Sequence, residues 1–211
     1  MTLPTGCSWS AVGQALRVPY EAPQGRRLNV IGAYFSHGPE VGRFEFASYA
    51  TLPKTTAKKQ RKTPEEMAAV HGVEPEVVGP IDSERFLSFV WGLAGRPCVA
   101  LLDWRRVRPL VIVLDNYSVH KSQVVKAALP SLEAANVFLF YLPAYSPELS
   151  KIEPIWRSVK GHGMPYRSQT VLGQMKQTVD AALLDKAQQL WQDQLKKQDQ
   201  DKTTNFHCLA A

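Results

Sequence analysis

Alternation of apolar and polar residues predicts a β-hairpin in the first quarter of the chain. Residues 26–35 read as one strand, 36–42 as a turn marked by glycine and proline, and 43–50 as a second, half-buried strand. Two later apolar runs, 110–114 and 137–143, lack this alternation. Uninterrupted apolar runs are typical of strands that are buried on both faces under helices, so we expect both runs to be such strands.

Segments with apolar residues at helical spacing follow the hairpin and each of the two later apolar runs. Residues 82–95 predict a helix that Asp82 or Ser83 caps and Gly95 ends. Further helices are predicted for 122–136, for the segment after the loop that begins at 144, and for 170–197. Strands and helices in this order indicate an α/β fold, with a mixed sheet and flanking helices.

Composition suits one domain with an added tail. The chain has 211 residues, 45% of them hydrophobic, which is enough for a core. We expect the domain to span 1–185 and a glutamine-rich helical tail, fraying at its end, to span 186–211. Cys7, Cys98 and Cys208 are far apart and lack zinc-ligand spacing, which predicts a reduced, cytoplasmic protein. No signal peptide or membrane helix is predicted.

The chain is basic, with a formal net charge of +6 and an isoelectric point near 9.3. This balance permits nucleic-acid binding without requiring it. Within 54–62 lies a run of positive charge that includes Lys58, Lys59, Arg61 and Lys62. The run is either a solvated loop or a flexible loop that contacts phosphates.

Two carboxylates stand out as candidate ligands. Asp115 directly follows an apolar strand, and ligands of open α/β sheets bind beyond the carboxyl ends of strands. Its alternative role is to shape a turn together with Asn116. Glu153 opens a predicted helix, where it could instead close a capping box with Ser150 or pair with Arg157. If the two carboxylates converge, their hard oxygen atoms suit Mg²⁺ or Mn²⁺.

These residues lie in two segments, VIVLDNYSVHKS and FLFYLPAYSPELSKIEPIWRSVK, that resemble a known family. The pattern is similar to the DDE endonuclease domain of mariner-like transposases from bacterial insertion sequences, and the resemblance covers roughly 6–185. It implies a ribonuclease-H-like fold and a divalent-metal endonuclease and strand transferase acting on transposon ends. Asp115 and Glu153, 38 positions apart, would be the second and third acidic residues of its metal site.

The resemblance also implies roles for nearby residues and for partners. Asn116 and His120 would support the metal ligands or contact a phosphate, unless they only shape the turn and the helix start. Arg157 and Lys160 would contact DNA phosphates. Expected partners are DNA with transposon terminal repeats, and a second copy or an intact transposase. The implied location is the prokaryotic nucleoid.

One family feature is missing from this sequence. The family's first aspartate lies on a strand just before the segment that begins here at Ser8, and none of the preceding residues is acidic. We therefore expect a sheet without its first, central strand and a chain that by itself is inactive. The alternative is a non-catalytic remnant that binds DNA or intact transposase. A receiver-like phosphoacceptor domain with Asp115 as acceptor would leave YSPELSKIE unexplained.

Overall fold

Two small sheets with their helices make up the described part of the chain. The computed structural model describes residues 27–51, 63–97, 104–143, 146–163 and 172–208. The segment 1–26 and the basic residues Lys58, Lys59, Arg61 and Lys62 lie outside these ranges, so their predicted roles stay predictions.

The predicted hairpin is confirmed. Strands β1 (Arg27–Tyr34) and β2 (Phe44–Thr51) pair antiparallel, with Arg27 opposite Thr51 and Tyr34 opposite Phe44. Gly38 and Gly42 in the turn have φ angles of 83° and 91°. These values fall in the left-handed region that glycine adopts without steric cost, which explains the glycines in this turn.

The next two helices begin and end at residues suited to those positions. Helix α1 (Pro64–His71) begins after Thr63, which forms a capping box with Glu66. Helix α2 (Ser83–Ala94) begins after Asp82, whose side chain accepts from the Arg85 amide. Gly95 ends α2 in the left-handed conformation. The sequence prediction for α2 is therefore confirmed at both ends.

A parallel pair of strands follows, joined by a helix. Strands β3 (Leu110–Leu114) and β4 (Val137–Tyr141) pair parallel across helix α3 (Gln123–Ala134). Helices α2 and α3 bury one face of this sheet. The buried side chains of this cluster, which we call the parallel-sheet core, include Phe86, Val90, Leu114, Val125, Leu132 and Val137.

The expectation that β3 and β4 are buried on both faces is wrong. Val111 and Val113 are 59% and 54% exposed, and Phe138 and Phe140 on the neighbouring strand are exposed as well. They share one face, because Val111 lies opposite Phe138 and Val113 opposite Phe140. Helices α2 and α3 both lie on the opposite face, so this face is uncovered in the described part of the chain.

The last helices pack on the hairpin. Helix α4 (Glu153–Ser158) continues into a π-helical turn (Val159–Gly163), and helix α5 spans Leu172–Cys208. A second cluster, the hairpin core, consists of Leu28, Phe44, Ala50, Ile155, Val159, Leu172, Val179, Ala182 and Leu183. The buried Ser48 hydroxyl donates to Asp180, which Lys176 also contacts, so a polar link joins β2 to α5.

The architecture is α/β, with one antiparallel and one parallel sheet. Among the described strands β1 and β3 do not pair, so a ribonuclease-H-like strand order stays a prediction. Helix α5 crosses position 186 without a break, and the division of the chain there also stays a prediction. Of the described helices, none combines the length and apolar character needed to cross a membrane.

Adjacent leucines test how α5 packs. Leu183 is fully buried in the hairpin core, whereas the neighbouring Leu184 is 53% exposed. We expect Leu183→Ala to lower the free energy of unfolding by about 2–5 kcal/mol, since it leaves a cavity. Leu184→Ala should change it by less than about 0.5 kcal/mol. Urea denaturation followed by circular dichroism measures both, and equal losses would contradict the packing described.

Candidate functional site

A cleft between the hairpin and the end of the parallel sheet contains both candidate carboxylates. Its volume is about 650 Å³. Asp115 lies on its wall next to the end of β3, and Glu153 lies on the wall formed by α4. The other lining residues with polar or aromatic side chains include Asn29, Asn116, Tyr117, His120, Trp156 and Lys160.

The Asp115 carboxylate is both oriented and accessible. Its Oδ1 accepts a hydrogen bond from the Tyr117 amide at 3.1 Å and lies 2.9 Å from Nδ1 of His120. Its side chain is nevertheless 71% exposed. A carboxylate held through one oxygen keeps lone pairs on its other oxygen, so Asp115 can still bind a cation from the cleft.

His120 is held on three sides. It lies in a 3₁₀ turn (Ser118–Lys121), and its ring packs on Phe86 with centroids 4.5 Å apart. Its backbone carbonyl accepts from the Tyr141 hydroxyl at 2.7 Å. The imidazole is only 16% exposed, so its contact with Asp115 is made by a fixed ring. His120 thus restricts the orientation of the carboxylate.

Asn116 connects the ends of the two parallel strands. Its Nδ2 donates to the Leu142 carbonyl at 2.6 Å, and the Leu142 amide donates to the Leu114 carbonyl at 2.8 Å. These bonds hold the segment after β4 beside the end of β3. This bond joins two strand ends and does not lie within the turn after Asp115, so the roles considered for Asn116, in that turn or toward a metal or phosphate, stay predictions.

The capping box expected for Glu153 is not formed. Helix α4 begins at Glu153 itself, and its N-cap residue Ile152 makes no side-chain cap bond. A capping box needs the glutamate three positions after the cap, where its side chain can reach back. Ser150 contributes only its carbonyl, which accepts from the Glu153 amide at 3.3 Å. Glu153 lies in the first turn of α4 with an exposed side chain on the cleft.

The basic residues predicted to bind DNA differ in position. Lys160 lines the cleft beside Glu153, whereas Arg157 is exposed and is not part of the lining. The ion pairs found in the described ranges do not include Glu153 with Arg157. Lys160 is therefore the better placed of the two for a phosphate inside the cleft.

The donor set fits part of a divalent-metal site. Asp115 and Glu153 supply carboxylate oxygens, the ligands that Mg²⁺ and Mn²⁺ prefer. Across the described ranges, His, Cys, Asp and Glu do not form a group of three that could hold a metal ion. The two carboxylates therefore have suitable ligand chemistry, while their sharing of one ion stays a prediction.

Sequence reasoning missed two residues that support the site. Phe86 packs on the His120 ring, and the Tyr141 hydroxyl holds the His120 backbone. Burial raises the pKa of the Tyr141 phenol above its usual value near 10. Phe86 matched the apolar pattern of a helix and Tyr141 matched that of a strand. Neither residue therefore indicated a role in supporting the site. The only hint was that β4 ends on a residue with a polar tip.

The comparison with protein families identifies the segment that contains this site. Residues 83–175 match the family model described as DDE superfamily endonuclease, which supports a DDE transposase-type domain. Both carboxylates, His120 and Lys160 lie inside the matched segment. Endonucleases of this superfamily act on DNA and typically use divalent metals. No curated protein matches the chain.

Tyr141→Phe tests the support of the His120 turn. Removing the hydroxyl loses one hydrogen bond, and we expect the free energy of unfolding to fall by about 0.5–1.5 kcal/mol at neutral pH. A raised pKa means that above about pH 10 the phenol ionises more readily in the unfolded chain, so the parent loses stability there. Tyr141→Phe should lose less than the parent over the same interval. Equal losses of unfolding free energy by the parent and by Tyr141→Phe between pH 8 and 11 would contradict this expectation.

Proposed function

We propose that this chain is the catalytic core of a mariner-like transposase from a bacterial insertion sequence. Asp115 and Glu153 would hold Mg²⁺ or Mn²⁺ for the cleavage and joining of phosphodiester bonds at transposon terminal repeats. The observation that carries the proposal is the lining of one cleft by both carboxylates and Lys160. The family match over the same segment supports it.

The residues of the cleft suit this chemistry. A divalent ion bound there would polarise the scissile phosphate and lower the pKa of an attacking water. Asp115 and Glu153 would bind the ion through oxygen atoms, and His120 would keep Asp115 in one orientation. Lys160 would neutralise part of the phosphate charge from the α4 side of the cleft.

We further propose that two carboxylates are not sufficient for the reaction. Two metal ions about 4 Å apart are the usual arrangement at phosphodiesters, and they need a bridging or balancing carboxylate. Among the described residues, Asp115 and Glu153 are the acidic residues that line the cleft, and no group of three metal-ligating side chains forms. On this proposal the chain by itself binds a divalent ion weakly and does not cleave DNA.

Conservative substitutions test the metal site. We expect Asp115→Asn and Glu153→Gln each to weaken Mn²⁺ binding about tenfold or more, because each removes a charged ligand. Glu148→Gln is the matched control, since Glu148 is exposed near α4 but does not line the cleft. Titration with paramagnetic resonance detection of free Mn²⁺ gives the dissociation constants. Equal Mn²⁺ binding by the parent and both cleft variants would reject the site.

A nicking assay on supercoiled plasmid DNA with Mn²⁺ separates metal binding from catalysis. We expect no nicking above the level of an Asp115→Ala variant. Nicking by the parent that Asp115→Ala abolishes would overturn the proposal that the chain alone is inactive, while it would support the role of Asp115.

A second candidate function is a non-catalytic protein that binds DNA or intact transposase. The uncovered face of the parallel sheet favours a protein partner, because Val111, Val113, Phe138 and Phe140 together form an exposed apolar surface. Apolar surface of this kind in a folded protein often marks an interaction site. On this reading the chain would interfere with an intact transposase of the same type.

Mixing experiments test the second candidate. Added in excess, the chain should reduce DNA cleavage by an intact transposase, and Val111→Thr with Val113→Thr should weaken this inhibition by about tenfold. Threonine keeps the β-branched shape but makes the sheet face more polar. Val107→Thr is the control, because Val107 is 98% exposed and lies outside the strands. Failure of the parent chain to inhibit at any ratio would reject this function.

A further inference from the structure

Gly32 leaves a gap in the face of the hairpin that supports α4. Side chains alternate along β1, so Gly32 belongs to the same face as Leu28, Val30 and Tyr34, which belong to or pack against the hairpin core. Glycine inside a strand weakens it and often marks a close approach by another group. Strand stability therefore does not explain the glycine at position 32.

The indole of Trp156 occupies this gap. A methyl group built on Gly32 would lie 2.7 Å from Cη2 and 2.9 Å from Cζ2 of Trp156. Carbon atoms in favourable contact are about 3.5–4.0 Å apart, so any side chain at Gly32 would displace the ring. Phe44 on β2 meets the same ring edge-on, with centroids 5.6 Å apart and planes at 74°.

Trp156 lies on the same helix as the candidate ligand Glu153. It lies three residues after Glu153 on the six-residue helix α4, and residues three apart lie on the same side of a helix. Gly32, Trp156, Glu153 and Asp115 all line the same cleft. The depth of the indole against β1 therefore bears on where α4, with Glu153, lies in the cleft.

We propose that Gly32 is a positioning residue: by admitting the Trp156 ring, it sets the distance across the cleft between the Glu153 and Asp115 carboxylates. This inference rests on the proposed function, since the distance matters only if the two carboxylates share a cation. The helix position itself, however, is a property of the fold and is measurable without a metal.

Gly32→Ala is the primary test, read out in two ways. The first readout is the Mn²⁺ dissociation constant, which we expect to rise about tenfold, as is typical when groups that orient metal ligands are changed. The second is the distance between spin labels at the exposed positions Gln123 and Arg157, in a background with Cys7, Cys98 and Cys208 replaced by serine. We expect a shift of about 1 Å, the shortfall of the 2.7 Å approach from normal contact.

A relief variant and a control make the test specific. In a Trp156→Phe background the smaller ring accommodates the methyl group. Adding Gly32→Ala there should change the Mn²⁺ dissociation constant by less than twofold and the label distance by less than about 0.3 Å. Gly92→Ala is the control, because Gly92 lies in α2 with nothing within 4 Å of the added methyl group. It should leave both readouts unchanged.

Each outcome decides the proposal. An unchanged label distance in folded Gly32→Ala overturns it, as does an equal effect of Gly32→Ala in both backgrounds. If Gly32→Ala does not fold, Trp156→Phe alone decides: the enlarged gap should broaden the label distance distribution, and an unchanged distribution overturns the proposal. If the parent binds no Mn²⁺, the proposed function fails, and the label distances still test the positioning role.

Discussion

The candidate site depends on two apolar clusters, each of which fixes one of its walls. The parallel-sheet core buries Leu114, the last residue of β3, and so determines where Asp115 leaves the sheet. The hairpin core buries Ile155 in α4 and so determines where Glu153 begins its helix. Burial of these side chains is the dominant favourable term in folding. Asp115 and Glu153 are positioned by different clusters. The distance between their carboxylates therefore depends on how the two clusters are placed relative to each other.

The charges that line the cleft bear on the cation that we propose for it. Two carboxylates repel a phosphate, and Lys160 alone does not balance them. A divalent ion reverses the sign of the local charge, so the same residues that repel DNA would attract it once the ion is bound. The contact of His120 with Asp115 belongs to this arrangement, since it orients the carboxylate while leaving most of it exposed. If the chain binds DNA as proposed, the overall charge of +6 would favour its approach.

Local signals in the sequence were enough for most of the elements. Asp82 and Gly95 set the ends of α2 because capping and a left-handed glycine act within one turn of the chain. Alternation gave the hairpin for a similar reason, since strand periodicity is local. The prediction of burial failed for β3 and β4, where burial depends on elements that are remote in the chain. The apolar residues of β3 could not reveal that Val113 would face outward, because only the placement of helices decides which face is covered.

For the candidate site, the sequence by itself determined on which elements the candidate ligands lie, and the structure confirms both positions. Asp115 after a strand and Glu153 at a helix start followed from apolar periodicity and motif. Only the tertiary structure decided that Phe86 and Tyr141 hold His120 in place and that His120 in turn supports Asp115. Only the tertiary structure decided, too, that Glu153 does not form a capping box. These contacts join residues from different elements, far apart in the chain. Their geometry depends on packing, which no local pattern encodes.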